Sequence, residues 1–188
     1  MANLKEIRNR ISSVSSTMQI TSAMKMVSAA KLKKAQDAIT AMRPYSDKLT
    51  QMLVNLSSSV DFENVYLSPR KVKNKLIVCV TSNRGLCGAF NSNVIKKTRQ
   101  LIIEEYSNKK VSLITIGKKG SEILGKKGKI ISTHDYIFDD LNYKKADEIS
   151  KEIIDSFKKE LYDKVFLVYN RFKTVSYTHL TLPTRIRV

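Results

Sequence analysis

The sequence has few of the residues from which disulfide frameworks and membrane spans are built. Only two of its 188 residues are cysteines, Cys79 and Cys87, and such a pair fits a reducing compartment. No apolar run approaches the roughly 20 residues of a membrane-spanning helix. The opening stretch MANLKEIRNR has neither the apolar core nor the cleavage site of a secretory signal. These absences predict a soluble chain, or one that is peripheral to a membrane.

Acidic residues are also scarce. Lys and Arg number 34 against 17 Asp and Glu, which gives a formal net charge of +17. A surface of this charge favours an acidic partner, and nucleic acid, anionic lipid and an acidic protein face are the alternatives. Hydrophobic residues make up 42% of the chain, so a core can form.

Residues that bind metals or carry out catalysis are few as well. The two histidines, His134 and His179, fall in predicted loop or tail, and no Cys/His cluster has metal-ligand spacing. The pair Asp139-Asp140 is interpreted as a cap for the following helix. Cys87 lies near a basic residue and a helix start, a setting that can activate a thiol, but a buried or half-buried thiol is the favoured interpretation. The sequence therefore predicts no catalytic residue and no metal site.

Between Asn3 and Ser59 the chain has no glycine and one proline, which predicts a long helix. Five apolar residues recur at alternating spacings of three and four, the pattern of a coiled coil. They are called the seam: Leu4, Ile7, Ile11, Val14 and Met18. Asn3 and Glu6 form a predicted capping pair, and Pro44 is expected to kink or divide the helix. A rod of this length would reach about 80 Å, so it must pack on another long helix or project into a partner.

The same helix is basic and rich in small residues. No acidic residue occurs between Asn9 and Asp37, whereas the basic residues there are Arg10, Lys25, Lys31, Lys33 and Lys34. Beyond the seam the apolar spacing drifts, as expected where a helix is nearer 3.6 than 3.5 residues per turn. Serine, threonine and alanine crowd the stretch, and small side chains let another surface approach closely. Two interpretations stay open: a surface along which a partner moves, or the solvated basic face of a bundle helix.

From residue 75 the sequence changes to alternating strands and helices. The predicted strands are 76–80, 111–116, 129–132 and 165–169, and the predicted helices are 92–106, 117–124 and 142–161. This alternation predicts an α/β fold with a Rossmann-like, mostly parallel sheet and right-handed crossovers. The predicted organisation is a long helix over 1–60, a hinge over 61–74, the α/β domain over 75–175 and a tail over 176–188.

The first predicted strand is followed by the loop SNRGLCGAFN. A glycine-containing loop at this place often binds phosphate in doubly wound folds. Gly85 and Gly88 give only GxxG, however, and no acidic residue follows at the end of the second predicted strand, as a dinucleotide site requires. The favoured interpretation is a structural turn that includes Arg84 and both glycines, with Asn91 or Ser92 capping the next helix. Nucleotide binding stays open as the alternative.

Two stretches resemble the gamma subunit of the F-type ATP synthase. They are LKEIRNRISSVSSTMQITSAMKMVSAAKLKKAQ, followed by RPY, and the loop SNRGLCGAFN. The resemblance runs from residue 2 to about Val175. It implies a central shaft, in which the N-terminal helix pairs antiparallel with a long C-terminal helix inside a hexamer of alpha and beta subunits. It also implies that the α/β domain, with an epsilon subunit, rests on the membrane ring of c subunits, whose proton-driven rotation the shaft transmits.

The resemblance implies roles for individual residues. Met24, Lys25 and Val27, with Lys31 and Lys33 beside them, would contact acidic loops of the hexamer, and the seam would lie against the C-terminal helix. No residue is expected to be catalytic or to bind a metal, a nucleotide or another cofactor. Neither nucleic acid nor a small-molecule substrate is an expected partner. The expected place is the cytoplasmic face of the bacterial inner membrane, as a peripheral membrane protein.

Residues 176–188 depart from the family pattern. A family member would continue with another strand and its long C-terminal helix, whereas this tail has no helical period, and Pro183 would interrupt a strand. The tail is interpreted as read-through from a truncated gene fragment, so the C-terminal helix is expected to be missing. The seam would then be exposed or would fold back on the α/β domain.

Two other functions stay open from the residues alone. A nucleic-acid-binding protein would fit the net charge of +17, but aromatic stacking platforms, zinc spacing and a recognition-helix motif are lacking. A nucleotide-dependent α/β enzyme would use the Gly85–Gly88 loop, whose spacing does not favour it.

Overall fold

The computed structural model describes residues 3–59, 66, 71–104, 110–126, 128–172 and 184–187. The chain divides into two compact units, Met1–Phe62 and Glu63–Val188. The first contains one helix and the second an α/β sheet domain. Most of the hinge predicted over 61–74 lies outside the described residues, as do His179 and the first part of the tail.

The first unit is a single helix, α1, which spans Leu4–Ser59 over 56 residues. At 1.5 Å per residue it is about 84 Å long. Asn3 caps its start, because its side-chain Oδ1 accepts the backbone N–H of Lys5 at 3.3 Å. Pro44 lies inside the helix, which continues past it although proline lacks one backbone donor. Division of the helix at Pro44, one of the two predicted outcomes, does not occur.

The second unit alternates strands and helices around one sheet. Its strands are β1 (Asn74–Val80), β2 (Lys110–Ile116), β3 (Ile130–Thr133), β4 (Lys164–Phe172) and β5 (Thr184–Arg187). Its helices are α2 (Phe90–Glu104), α3 (Lys118–Leu124) and α4 (Tyr143–Lys158), and a short 3-10 helix covers Asp135–Phe138. The strand order is β3-β2-β1-β4-β5, in which β1 to β4 pair in parallel and β5 pairs antiparallel with β4. The predicted α/β class with a mostly parallel sheet is confirmed.

Strand β1 lies in the middle of the sheet and is buried on both faces. Alternate residues point to opposite sides of a strand, so Ile77 and Cys79 pack against α2 and α3, in a cluster with Val94 and Leu124. Leu76 and Val78 point the other way, into a second cluster that includes Ile153 of α4. The continuous apolar run of β1 is thus explained by two covered faces, as is usual in parallel sheets.

Thr81 joins the carboxyl ends of β1 and β2. Its backbone N–H donates to the carbonyl of Ile116 at 2.8 Å, and its Oγ1 accepts the N–H of Gly120 at 2.8 Å in the first turn of α3. Gly117 has a φ of 101°, and a Cβ added there would overlap the carbonyl of Thr81. Only glycine fits both the backbone conformation and this close approach. The contact places the loop that follows β1 beside α3.

Two features differ from the sequence-based expectations. The 3-10 helix is not predicted by the sequence pattern, because a single short turn shows too little periodicity. Pro183 was expected to interrupt any strand in the tail, yet the next four residues, Thr184–Arg187, form β5 and pair with β4. Strand β5 begins at the residue after Pro183, and a proline that precedes a strand removes no ladder hydrogen bond.

Candidate functional site

The loop between β1 and α2, residues 81–89, is held by the side chain of Asn91. Its Oδ1 accepts the backbone N–H of Ser82 at 3.0 Å, and its Nδ2 donates to Ser82 Oγ at 2.9 Å and to the carbonyl of Arg84 at 3.3 Å. The Ser82 hydroxyl donates to the same carbonyl at 2.6 Å. The prediction that Asn91 or Ser92 caps α2 is wrong, because both residues lie inside the helix, which begins at Phe90. The Asn91 side chain closes the loop instead.

Two residues of this loop have a left-handed backbone, Leu86 with a φ of 57° and Gly88 with a φ of 58°. Glycine adopts this conformation without strain, and a Cβ at Gly88 would meet no atom within 4 Å. Leu86 adopts it despite its bulk, and its side chain is fully exposed. At Gly85 an added Cβ would make only an ordinary contact with Lys119, at 3.9 Å. Of positions 85 and 88, only position 88 has a backbone conformation that favours glycine over other residues.

Asn83 ties the loop to two neighbouring elements. Its Oδ1 accepts the backbone N–H of Lys118 at 2.9 Å, and its Nδ2 donates to the carbonyl of Asp135 at 2.7 Å. The Asp135 carboxylate in turn accepts the hydroxyl of Ser121 on α3 at 3.1 Å. These bonds are made between groups of the chain itself, and the loop sequence has no acidic residue or histidine. The arrangement gives a rigid, basic turn that displays Leu86.

The two cysteines lie in opposite environments. Cys87, in the loop, is exposed, so the interpretation as a buried or half-buried thiol is wrong. Cys79 is buried on the α2 side of the sheet, where burial raises the pKa of its thiol. A hydrogen bond from Thr98 Oγ1 to its Sγ at 3.5 Å acts weakly in the opposite direction. Cys87 is therefore the accessible thiol.

His134 is buried at the end of β3, in a cluster of hydrogen-bonding side chains. Its Nε2 lies 2.9 Å from Ser132 Oγ and 3.0 Å from Glu152 Oε2, and its Nδ1 lies 3.3 Å from the hydroxyl of Tyr136. In a hydrolase triad the serine and the carboxylate use different ring nitrogens. Here they share one, so the cluster links β3 and the 3-10 helix to α4 and does not form a triad.

The start of α4 is capped by Asn142. Its Oδ1 accepts the backbone N–H of Lys145 at 3.0 Å. Asp140 accepts instead from Asn142 Nδ2 at 3.0 Å and from Lys145 Nζ at 3.2 Å. The prediction that the Asp139-Asp140 pair caps this helix is wrong, because Asn142 is the residue next to the first turn. Among the described residues, no three His, Cys, Asp or Glu side chains are grouped so that they could hold a metal ion.

The seam of α1 is exposed along its length. Its five residues, Leu4, Ile7, Ile11, Val14 and Met18, have exposed fractions between 47% and 70%. At about 100° per residue they fall within about 80° of arc on the helix. A stripe of apolar side chains this long, left in water, is typical of a helix that pairs with another helix.

The five predicted contact residues do not share one side of α1. At about 100° per residue, Met24, Val27 and Lys31 fall within about 60° of one another, roughly opposite the seam. Lys25 lies on the side of the seam, and Lys33 lies next to it. All five are exposed. The helix therefore brings three of them together and separates the other two.

The seam continues farther along α1 than the apolar spacing at first indicates. Positions that repeat every seven residues from Leu4 and Ile7 form what we call the heptad line. Beyond the seam its apolar members are Leu32, Ala35, Ile39, Met42, Leu49, Leu53 and Leu56, and its polar members are Thr21, Lys25, Ser28 and Ser46. A strict seven-residue repeat drifts about 20° per heptad on a straight helix. On a straight helix of 3.6 residues per turn, the later members therefore do not lie on the same side as the seam. The seven-residue spacing nevertheless places them on one line.

The comparisons with known proteins agree on one family. The family model described as ATP synthase matches residues 3–184. The chain belongs to the ATP synthase family. Its curated relatives include the ATP synthase gamma chains of Flavobacterium johnsoniae and Christiangramia forsetii. These are 56% and 53% identical over 94% of this chain and 62% of their own length. The match reaches residue 184, beyond the Val175 at which the resemblance was expected to end.

Solved structures of the family have the same fold. The central stalk and c-ring structure of the Tetrahymena thermophila mitochondrial ATP synthase contains a chain with a TM-score of 0.66 and 28% identity, matched over 89% of this chain and 70% of that one. A chain of the Euglena gracilis mitochondrial ATP synthase shares the fold with a TM-score of 0.53 at 19% identity, over 96% of this chain and 55% of that one. This chain spans 62% of the length of the curated relatives named above. None of its described helices is long and apolar enough to cross a membrane.

Proposed function

We propose that the chain is the gamma subunit of an F-type ATP synthase and acts as the central shaft. It transmits rotation between the proton-driven membrane ring and the catalytic hexamer, for ATP synthesis or hydrolysis. It has no active site of its own. Its partners are the alpha and beta subunits of the hexamer, the epsilon subunit and the ring of c subunits, and it lies at the cytoplasmic face of the bacterial inner membrane.

The observation that carries this proposal is the length and exposure of α1. A helix of 56 residues, about 84 Å long, is far longer than the core of a domain of this size. Its seam is exposed, and the heptad line extends that seam to Leu56. A second long helix packed on this line would give a stiff two-stranded rod, which is the part that a rotary machine requires.

The side of α1 opposite the seam supports the bearing role. Met24, Val27 and Lys31 lie together there, exposed, in a stretch without acidic residues. A partner helix packed on the heptad line would cover Lys25 and pass beside Met24 and Lys31, whereas Val27 would lie on the outer side, towards the wall of the hexamer. Apolar and cationic groups side by side fit an acidic, partly apolar protein surface. Lys25 lies on the heptad line itself, under the partner helix, and contributes less to this surface.

The loop at residues 81–89 supports a second contact outside the chain. Internal hydrogen bonds through Asn91 and Asn83 hold it rigid, and it projects Leu86 into water. Rigid display of an apolar side chain lowers the entropy cost of binding. We assign this turn to the contact between the α/β domain and the hexamer.

The test is assembly with purified alpha and beta subunits of a close relative. The chain is extended at its C-terminus with the part of the Flavobacterium johnsoniae gamma chain that lies beyond the matched region. The extended chain is expected to co-purify with the subunits and to support their ATP hydrolysis, and to hydrolyse no ATP alone. A version without residues 2–40 is the negative control. Equal assembly and hydrolysis with and without those residues would contradict the proposal.

A further inference from the structure

Lys25 is the only charged residue on the heptad line of α1. The line is apolar before it at Met18 and after it at Leu32, with Thr21 and Ser28 on either side. The hydroxyl of Thr21 donates to the carbonyl of Thr17 at 2.8 Å, so it is satisfied within the helix. Lys25 is therefore the position at which a helix packed on the line meets an uncompensated charge.

The helix itself offers no carboxylate to Lys25. The nearest neighbours on a helix surface lie three and four residues away, and no acidic residue occurs between Asn9 and Asp37. Lys25 is exposed. A helix that packs on the heptad line would remove part of this side chain from water, which is unfavourable unless an opposite charge accompanies it.

A groove on α1 ends at Lys25. Its lining includes Val14, Thr17, Met18, Thr21 and Lys25. The short threonines make a depression between the longer side chains, and in a coiled coil each side chain of the partner enters such a hole between four residues. If a side chain of a partner helix packs into this groove, the next contact residue along that partner helix lies opposite the ammonium group of Lys25.

We infer that α1 selects its partner helix through Lys25. The partner is a helix with an apolar seam that presents one glutamate or aspartate opposite Lys25. A single polar residue of this kind on a seam fixes the register of the pair. A second copy of α1 does not fit, because its heptad line has no acidic residue. The pairing of α1 with another helix is taken from the proposed function. The new part of the inference is that the partner residue opposite Lys25 is acidic.

The experiment measures binding of synthetic helices to the full chain. Four peptides are designed to pair antiparallel with residues 11–39 and differ only opposite Lys25, where they carry Glu, Gln, Leu or Lys. Fluorescence anisotropy at physiological salt gives the dissociation constants. The Glu peptide is expected to bind about tenfold more tightly than the Lys peptide, as for a close charge pair. It is also expected to bind more tightly than the Leu peptide.

Two matched variants separate a specific pair from the general attraction of a basic chain. Lys25→Gln and Lys34→Gln remove the same charge, but position 34 faces away from the heptad line. Lys25→Gln is expected to abolish the preference for the Glu peptide, and Lys34→Gln to keep it. Lys25→Leu should turn the preference towards the Leu peptide. Helical circular dichroism checks that each variant is folded.

The inference is overturned if Lys25→Gln keeps the preference, or if the unaltered chain prefers the Leu peptide. Equal binding of all four peptides also overturns it, but leaves the helix pairing of the proposed function intact. If none of the four peptides binds, the inference is overturned as well. The proposed function then fails too only if the extended chain does not assemble with alpha and beta subunits.

Discussion

The side-chain Oδ1 of Asn91, in the first turn of α2, accepts the backbone N–H of Ser82 at 3.0 Å. This bond joins the end of β1 to the beginning of α2 and closes the loop between them. Asn91 is buried, with 8% of its surface exposed, and its amide also donates to Ser82 Oγ and to the carbonyl of Arg84. Asn91 is therefore the side chain that closes the loop between β1 and α2, while Asn83 ties the loop to its neighbours.

Asn91→Ala is expected to destabilise the chain by about 2 kcal/mol, because it removes the side-chain hydrogen bonds to Ser82 and Arg84 and leaves the N–H of Ser82 without its acceptor. Urea unfolding followed by circular dichroism measures the change. Ser92→Ala is the control, since Ser92 is exposed in the same turn of α2, and it should change the stability by less than about 0.5 kcal/mol. Equal effects of the two substitutions would show that Asn91 does not hold the loop.

Gly117→Ala is expected to be severely destabilising, by more than about 3 kcal/mol, since strain and overlap add at one position. The φ there is 101°, and the new Cβ would overlap the carbonyl of Thr81. Gly88→Ala is the matched control, because its φ is also positive but the space around it is open. It should cost only about 1 kcal/mol. Thermal unfolding of both variants measures the difference, and similar losses would contradict the close packing at Thr81.

Cys87 is expected to react with iodoacetamide in the folded chain, and Cys79 only after unfolding. Burial raises the pKa of the Cys79 thiol, so the folded state retains the thiol proton to a higher pH than the unfolded state. The stability due to Cys79 is therefore complete below the pKa of the unfolded thiol and is lost as pH rises through the folded value. Mass spectrometry of the alkylated chain locates the label.

The pH dependence of Cys79 can be isolated by comparison with Cys79→Ala. As the pH rises into the alkaline range, the free energy of unfolding should fall more steeply for the unaltered chain than for this variant. Parallel pH profiles of the two chains, or rapid labelling of Cys79 under native conditions, would contradict its burial.

Leu86→Gly is expected to leave the stability within about 0.5 kcal/mol of the unaltered chain. Relief of the left-handed strain and the greater freedom of glycine in the unfolded state oppose each other, and the exposed side chain loses no packing. Under the proposed function the extended chain with this change should bind the alpha and beta subunits more weakly. Pull-down with titrated subunits measures it. A stable variant that binds normally would remove Leu86 from the contact surface.

The sequence predicts the fold well because its signals are local and strong. The apolar run around Ile77 predicts a strand buried on both faces, and the absence of glycine over α1 predicts a long helix; both are confirmed. The N-cap residues of the helices are harder to predict from the sequence, since asparagine and aspartate are both favoured at the N-cap position. At α4 the choice between Asp140 and Asn142 as the cap depends on a shift of two residues in the start of the helix.

The candidate site is less accessible to sequence reasoning than the fold. Nothing in the spacing shows that Asn91 bonds back to Ser82, because that contact depends on where α2 begins. The burial of His134 beside Glu152 likewise depends on the packing of α4 near β3. By contrast, the continuation of the seam to Leu56 is present in the seven-residue repeat, and only the assumption of a straight helix conceals it.

The pairing of α1 with a second helix is the central claim, and a matched pair of charge insertions tests it most directly. In the extended chain, Val14→Asp places a carboxylate on the seam, and Ser16→Asp places one on the opposite side of the helix. Both residues are exposed in the chain itself, so neither change should unfold it. If α1 pairs with a second helix, Val14→Asp should lower co-purification with alpha and beta subunits by at least about tenfold, as expected for an unpaired buried charge, and Ser16→Asp should not. Equal assembly of the two variants would contradict it.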